Sequence, residues 1–519
     1  MPCSRQGACT DLHLWRWLPA LLLLALCGGC GTFRSYDKEL TTTLSQASGG
    51  ALDTAIRELE QNNKGKNRDL LYYLEMGELK RLKTDYPGSQ SAWLAAEQRV
   101  LDWEAAAKAD PERVAGAALS YVVNDKLRPY EGHDYEKVML TTRMAMNHLA
   151  MGEWDNARVA IKRTHEREAV IAAVRSREYE EVRAEARKRG YTPGFKDLNG
   201  YPITEIDNPE VNSLRNSYQS AISHYLAGFI YEAQGEPSLA APGYRQAIEL
   251  RPGVPLLEEA LAGLDQRMAI HDSSTTDTLF LIETGLAPAI QSKSFNLPIP
   301  INGEWVLVSV AFPTMRAQGG MGMPGGLTVD GGAPLSPVQV TSIDAMARRA
   351  LQDDMPGIML RSAIRSTAKA VAQYQAQRAA RTKRNKGNDS AAAALELTAL
   401  ALAIGSAVTE SADERGWRSL PAQMHIVRCR LSRGRHMVTI ETPDGPRSLE
   451  VNISGSHAFV GLRFLRGKLF AMLPPGVAGG AGAGQPASAP APVGSVPAVQ
   501  EEPATAEPAG APRTDSPAN

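Results

Sequence analysis

A cysteine preceded by two glycines is the first residue in this chain whose type and setting specify a chemistry. Arg5 and Arg16 precede the apolar run from Leu18 to Leu26, and Cys27-Gly28-Gly29-Cys30-Gly31 follows it. The run falls short of the roughly 20 apolar residues that a membrane span needs. Small residues just before a cysteine suit a peptidase that cleaves at a lipid-modified thiol. Cys30 is therefore expected to carry lipid and to become the N-terminus once residues 1–29 are removed. Cys27 is the alternative anchor, but the bulky Leu26 precedes it, whereas Gly28 and Gly29 fit Cys30. An ordinary secretory signal with an incidental cysteine is the plainer reading.

Two further stretches combine aromatic and charged residues at short spacing. Tyr130, His133, Asp134 and Tyr135 lie just before a helical pattern, where an exposed loop could touch a partner. The plainer reading has Asp134 capping that helix and the tyrosines packed inward. Asp413, Arg415 and Trp417, with Pro421, lie between an apolar helical run and a strand-like run. Their plainer reading is an Arg–Asp pair with the tryptophan as a lid over a β core. Both stretches are candidate partner-binding sites.

Other chemistries find no pattern. None of the nine histidines pair at helical metal-ligand spacing, and neither His-Glu-x-x-His nor Gly-x-Ser-x-Gly is present. Catalytic residues, metal and cofactor are each expected to be absent, although distant side chains can still assemble a site. The glycine-rich stretch Gly319 to Gly332 lacks the Lys-Ser/Thr of a phosphate loop and is expected to be a flexible surface loop. Without residues 1–29 the chain holds 54 basic and 56 acidic residues, a charge of −2, which does not suit a nucleic-acid partner. Of five cysteines, only Cys429 then remains besides Cys30, so an internal disulfide is excluded. Its strand-like setting predicts burial as a small hydrophobe.

The elements that position these residues separate into two textures. Residues 36 to about 270 show apolar residues three and four apart, the helical period. Within them Gly228, Tyr231, Gly235, Ala240, Tyr244, Ala247 and Pro252 fall in the order of a tetratricopeptide (TPR) unit. Small residues there let two helices approach, and the tyrosines fill the space beside them. Ala145, Gly152, Trp154, Ala157 and Ile161 form a second copy. Gly77, Tyr86, Trp93 and Ala96 form a weaker third within 69–102. A charged insertion at 165–215 reads as an extended helix. Beyond residue 272, strands are predicted at 278–283, 294–300, 304–312, 423–431, 436–442, 448–453 and 457–462, with a hairpin turn at Asp444-Gly445. Between them a helical hairpin is predicted over 343–408, its first arm broken at Pro356-Gly357 and its arms joined by a basic loop at 381–389. The Pro/Ala/Gly tail from Pro474 is expected to be disordered. The expected fold is α+β: a signal peptide (1–29), a TPR-like helical domain (30–270), a β-rich domain carrying the hairpin (271–475) and the tail (476–519). One sheet is expected to draw on both strand groups.

The stretches Arg128-Pro-Tyr-Glu-Gly-His-Asp-Tyr-Glu-Lys137, Ala311-Phe-Pro313 and Ala412-Asp-Glu-Arg-Gly-Trp-Arg-Ser-Leu-Pro421 resemble a family of poorly characterised Gram-negative outer-membrane lipoproteins with an N-terminal TPR-like helical domain. The resemblance covers roughly residues 36 to 475 and implies architecture without catalytic residues. In such lipoproteins an Asp after the anchor retains the protein at the inner membrane, so Gly31 implies an outer-membrane location, lipid-anchored and facing the periplasm. The function expected is a non-enzymatic scaffold that binds a periplasmic or outer-membrane protein in envelope or surface assembly. The alternative is an envelope enzyme acting on peptidoglycan or surface polysaccharide, with the repeats as its targeting arm.

Overall fold

The structure, a computed structural model, describes residues 36–65, 68–110, 114, 129–189, 201–270, 274–301, 304–318, 325–385, 411–442 and 444–473. The expected signal peptide, Cys30, the second hairpin arm and the tail lie outside the described residues.

The fold is α+β, helices first and mixed sheets after. The helices pack as consecutive pairs: α1 (Tyr36–Ser48) with α2 (Leu52–Asn62), α3 (Leu70–Leu82) with α4 (Tyr86–Ala109), and α5 (Asp134–Ala150) with α6 (Trp154–Lys188). After the short α7 (Pro209–Ser213), α8 (Ala221–Ala233) pairs with α9 (Pro237–Leu250), and α10 (Pro255–Ala262) and α11 (Leu264–Ala269) follow. Side-chain caps start several of them: Asp69 accepts from Tyr72 N, Asp85 from Gly88 N and Ser220 from Ser223 N. Glycine sets the approach within two pairs. A Cβ on Gly77 would collide with Trp93, and one on Gly243 would lie 2.7 Å from Gly228 N and 2.8 Å from His224 O.

The strands are β1 (Thr275–Thr284), β2 (Leu286–Ile301), β3 (Glu304–Gln318), β4 (Leu327–Val329), β5 (Val338–Ser342), β6 (Gln423–Ser432), β7 (Gly434–Ile440), β8 (Arg447–Ile453), β9 (His457–Leu465) and β10 (Lys468–Met472), with α12 (Ile343–Asn385) between β5 and β6. A five-stranded sheet runs β10-β9-β1-β6-β5, so it takes strands from both sides of α12. Its central strand β1 lies antiparallel to β6 and parallel to β9. Successive β1 residues serve opposite faces, as the two-residue period of a strand requires. Leu279 and Leu281 join the core shared with the helices, while Phe280 and Ile282 join a second core against the sheet β4-β7-β8. The molecule is thus layered as helices, five-stranded sheet, three-stranded sheet. The β2–β3 hairpin forms its own ladder and packs against α12.

Three expectations change. α12 runs through Pro356 and on to Asn385, so neither the break nor a loop beginning at 381 is present. Proline in a helix costs about 3 kcal/mol, and burial of Met355, Ile358, Met359 and Leu360 around it offsets that loss. Within the glycine-rich stretch, Leu327–Val329 forms β4 against β7, because Leu327 is fully buried in the second core. Asp330 and Gly331, both at positive φ, make the turn that follows.

Candidate functional site

The two stretches singled out from sequence, more than 270 residues apart, meet at the N-terminus of α5, and Glu136 joins them. Its Oε2 accepts from Tyr130 OH (2.5 Å) and His133 N (3.1 Å), and its Oε1 accepts from Tyr135 OH (3.2 Å) and Trp417 N (2.7 Å). Four donors satisfy a fully buried carboxylate. His133 rather than Asp134 occupies the N-cap position, and Glu136 closes back on its N–H three residues on. That spacing is the one sequence signal that could have revealed Glu136.

Around this hub the remaining groups lock one another. His133 Nε2 lies 3.1 Å from Arg415 O, and its ring stacks on Tyr135 at 5.7 Å. The Arg415 guanidinium lies over the Tyr130 ring at 5.2 Å and donates to Asp413 at 2.6 Å. Burial, with the neighbouring Glu136 carboxylate, holds the Tyr130 and Tyr135 hydroxyls protonated well above the usual range. Trp417 is fully buried and meets Trp93 of α4 edge-on at 6.0 Å, so it wedges helices against the sheet instead of covering the β core as a lid. Asp134 turns the other way. Burial raises its carboxyl, but the charges and hydrogen bonds of Arg175 and Lys137 outweigh this and hold it well below the usual carboxylate range. Arg175, from the charged stretch of α6, also binds Asp354 of α12.

These groups border a cavity of about 180 Å³, roughly the space of a small side chain or a few waters. Trp103, Val174, Ile290, Met315, Leu351 and Ile358 give it apolar walls, and Tyr130, His133, Asp134, Arg175, Asp354 and Asp413 line its polar side. Arg175 pairs with Asp134, Glu178 and Asp354 at once, Lys137 also holds Asp134, and Arg415 pairs with Asp413, so these lining carboxylates are engaged in ion pairs beside the apolar walls. Tyr135, Arg415 and Trp417 stand behind the lining and position it.

Among the described residues one cluster elsewhere has metal-ligand geometry: atoms of Glu232, Asp277 and His457 lie within 4.8 Å of one another. Arg428 donates to Glu232 at 2.8 Å and to Asp277 at 2.7 Å, and Arg267 donates to Glu232 at 2.6 Å. A cation there would have to displace two guanidinium groups, so the donor set suits the arginines. Cys429 is half-buried, and burial with the nearby Asp277 pushes its thiol up to about 11. Among the described residues no helix is long and apolar enough to cross a membrane. Comparison with protein families, curated proteins and solved structures finds no match to this chain.

Proposed function

We propose that the protein is a lipid-anchored scaffold of the outer membrane, facing the periplasm, whose TPR-like helices bind a protein partner in envelope or surface assembly. The observation that carries the binding part is the cavity at the N-terminus of α5. Its apolar walls and ion-paired carboxylates suit insertion of an apolar side chain from a partner segment, since such an anchor gains burial against the walls while Asp134, Asp354 and Asp413 keep their guanidinium partners. The helix pairs support the repeat reading, because Gly77 against Trp93 and Gly228 against Tyr244 use the small-against-large packing of such units. The lipid anchor rests on Cys30 and its Gly-Gly approach.

Leu351→Trp adds bulk to the cavity wall while keeping the side chain apolar. Partner proteins recovered with the parent from cross-linked envelopes should be lost or reduced about tenfold by this variant, with the circular dichroism unchanged. Equal recovery would remove the cavity from the binding site. Cys30→Ala should separately abolish palmitate labelling and membrane association.

A further inference from the structure

An open cleft of about 730 Å³ lies between α6, the segment that joins α7 to α8, and the first half of α12. Ligand sites commonly enclose roughly 300–1,000 Å³. The charged groups of its lining are Arg175, Arg183, Arg215, Arg349 and a single carboxylate, Asp353. Two of the four arginines are already neutralised. Arg349 donates to Asp353 at 2.9 Å and to Leu214 O at 2.7 Å, and Arg175 is held by Asp134, Glu178 and Asp354. Arg183, exposed on α6, has no ion pair or hydrogen bond among the described residues. Arg215 meets Glu249 only at 3.5 Å, with the two side chains 64% and 59% exposed, and a pair so open to water contributes little. The cleft therefore holds available positive charge on two of its walls.

Uncharged groups of the lining also lack partners. Ser217 is only 2% exposed, yet its hydroxyl makes no hydrogen bond to a described residue. A buried hydroxyl in that state gains from any polar group that enters the cleft. The hydroxyls of the half-buried Tyr179 and Tyr218 are likewise without a hydrogen bond among the described residues. Burial first, and then nearby carboxylates, hold both above the usual tyrosine range, so both remain donors. Asn216 Oδ1 accepts from Tyr218 N at 3.2 Å and Gln219 N at 2.8 Å, which fixes the segment that presents Ser217 and Tyr218 before a ligand arrives.

We propose that this cleft binds an acidic saccharide, with Arg183 and Arg215 taking its carboxylate or phosphate and Ser217, Tyr179 and Tyr218 taking its hydroxyls. Charge-assisted bonds from guanidinium groups favour such anions, and a tyrosine offers an apolar ring with a polar tip to a sugar that has both kinds of surface. An acidic peptide fits less well, because the aliphatic lining is limited to Ala172, Val182 and Pro356, too little to bury an apolar anchor. The cleft shares only Arg175 with the cavity at the N-terminus of α5. Occupation of one is therefore separable from occupation of the other.

Calorimetric titration of the full-length protein with tetragalacturonate and with glucose 6-phosphate tests the two anionic groups, and neutral maltotetraose and tetraglutamate serve as comparisons. At least one of the two acidic saccharides should bind, and more tightly than either comparison. Arg183→Gln and Arg215→Gln should each weaken that binding about tenfold with the circular dichroism unchanged, since each removes a charge-assisted bond from an exposed side chain. Leu351→Trp, in the wall of the other cavity, should leave it as it is. Binding of neither acidic saccharide overturns the proposal, as does binding that both arginine variants leave unchanged. Equal binding of maltotetraose would remove the arginines from recognition, and tighter binding of tetraglutamate would assign the cleft to an acidic peptide; either result overturns it.

Discussion

His165 and His224 stack face to face at 4.5 Å between α6 and α8, and their ring nitrogens are partnered differently. His224 Nε2 has the Glu168 carboxylate at 3.1 Å, whereas His165 Nε2 is buried without a partner among the described residues. Burial first, and then the neighbouring His224, push His165 down to about 4. The unfolded chain protonates this residue near pH 6.5, so between pH 6.5 and 4 it binds more protons than the folded chain, and stability falls as pH falls. The gap corresponds to at most ~3 kcal/mol. Glu75 acts in the opposite sense: burial pushes it up to about 7 against the N–H groups of Arg418 and Ser419, so it weakens the fold as pH rises from 4.5 to 7. Urea titrations of the parent and of His165→Gln isolate the first effect. The variant should lose less stability than the parent on going from pH 6.5 to 4, and parallel pH profiles would show that His165 titrates normally. At this scale the sequence was only partly legible. Tyr130, His133, Asp134 and Asp413 do share a cavity, but Arg175 and Asp354 complete it, and their pairing is set by tertiary proximity that no local spacing encodes.

Elements read better than residues, for a physical reason. A helix pair is held by contacts that recur along the chain, so the small residues Gly228, Ala240 and Ala247 mark α8 and α9 in the sequence itself. Gly243 is not among them, yet a Cβ there would meet the backbone of α8 at 2.7 Å, whereas one on Gly228 would meet the Tyr244 side chain at 2.6 Å. Gly243→Ala should cost about 1–3 kcal/mol through forced separation of the helices. For a cooperative unit of this size that is a drop of about 1–3 °C in the unfolding midpoint, measured by calorimetry, and an unchanged midpoint would mean that the two helices do not pack this closely. Strand positions were legible from alternation and turn residues, as in β1 and in the β7–β8 hairpin, whose turn has Gly445 at positive φ. β4 and the passage of α12 through Pro356 were not legible. In both, burial in a core assembled from distant segments overrides the local preference of glycine and proline.

Across the whole molecule, helices and sheet are joined by more than apolar contact. Arg143 of α5 is fully buried and binds Glu78 of α3 and Glu283 of β1 together. Arg428 of β6 bridges Glu232 of α8 and Asp277 of β1, and Tyr86 OH of α4 donates to Leu473 O at 3.0 Å. Removing either layer would leave buried charges without partners, at a cost of about 3–5 kcal/mol for each broken pair. Residues 36–473 should therefore unfold in one cooperative transition, with far-ultraviolet and near-ultraviolet circular dichroism changing together. Two separated transitions would show that the helical and sheet layers are independent. Sequence texture had suggested a boundary near residue 270, where secondary structure changes type. Texture follows local period, whereas cooperativity follows shared burial, and these need not coincide.

The position of β1 at the middle of its sheet also bears on how the chain is made. Both of its neighbours, β6 and β9, come more than 130 residues later. During synthesis β1 emerges with two bare edges, and Arg143 and Glu78 wait for Glu283 to be fixed in place. Such distant pairing is slow and leaves strands open to wrong partners. A ribosome that stalls before residue 465 would release a chain that cannot close its central sheet, a natural substrate for chaperones and proteases.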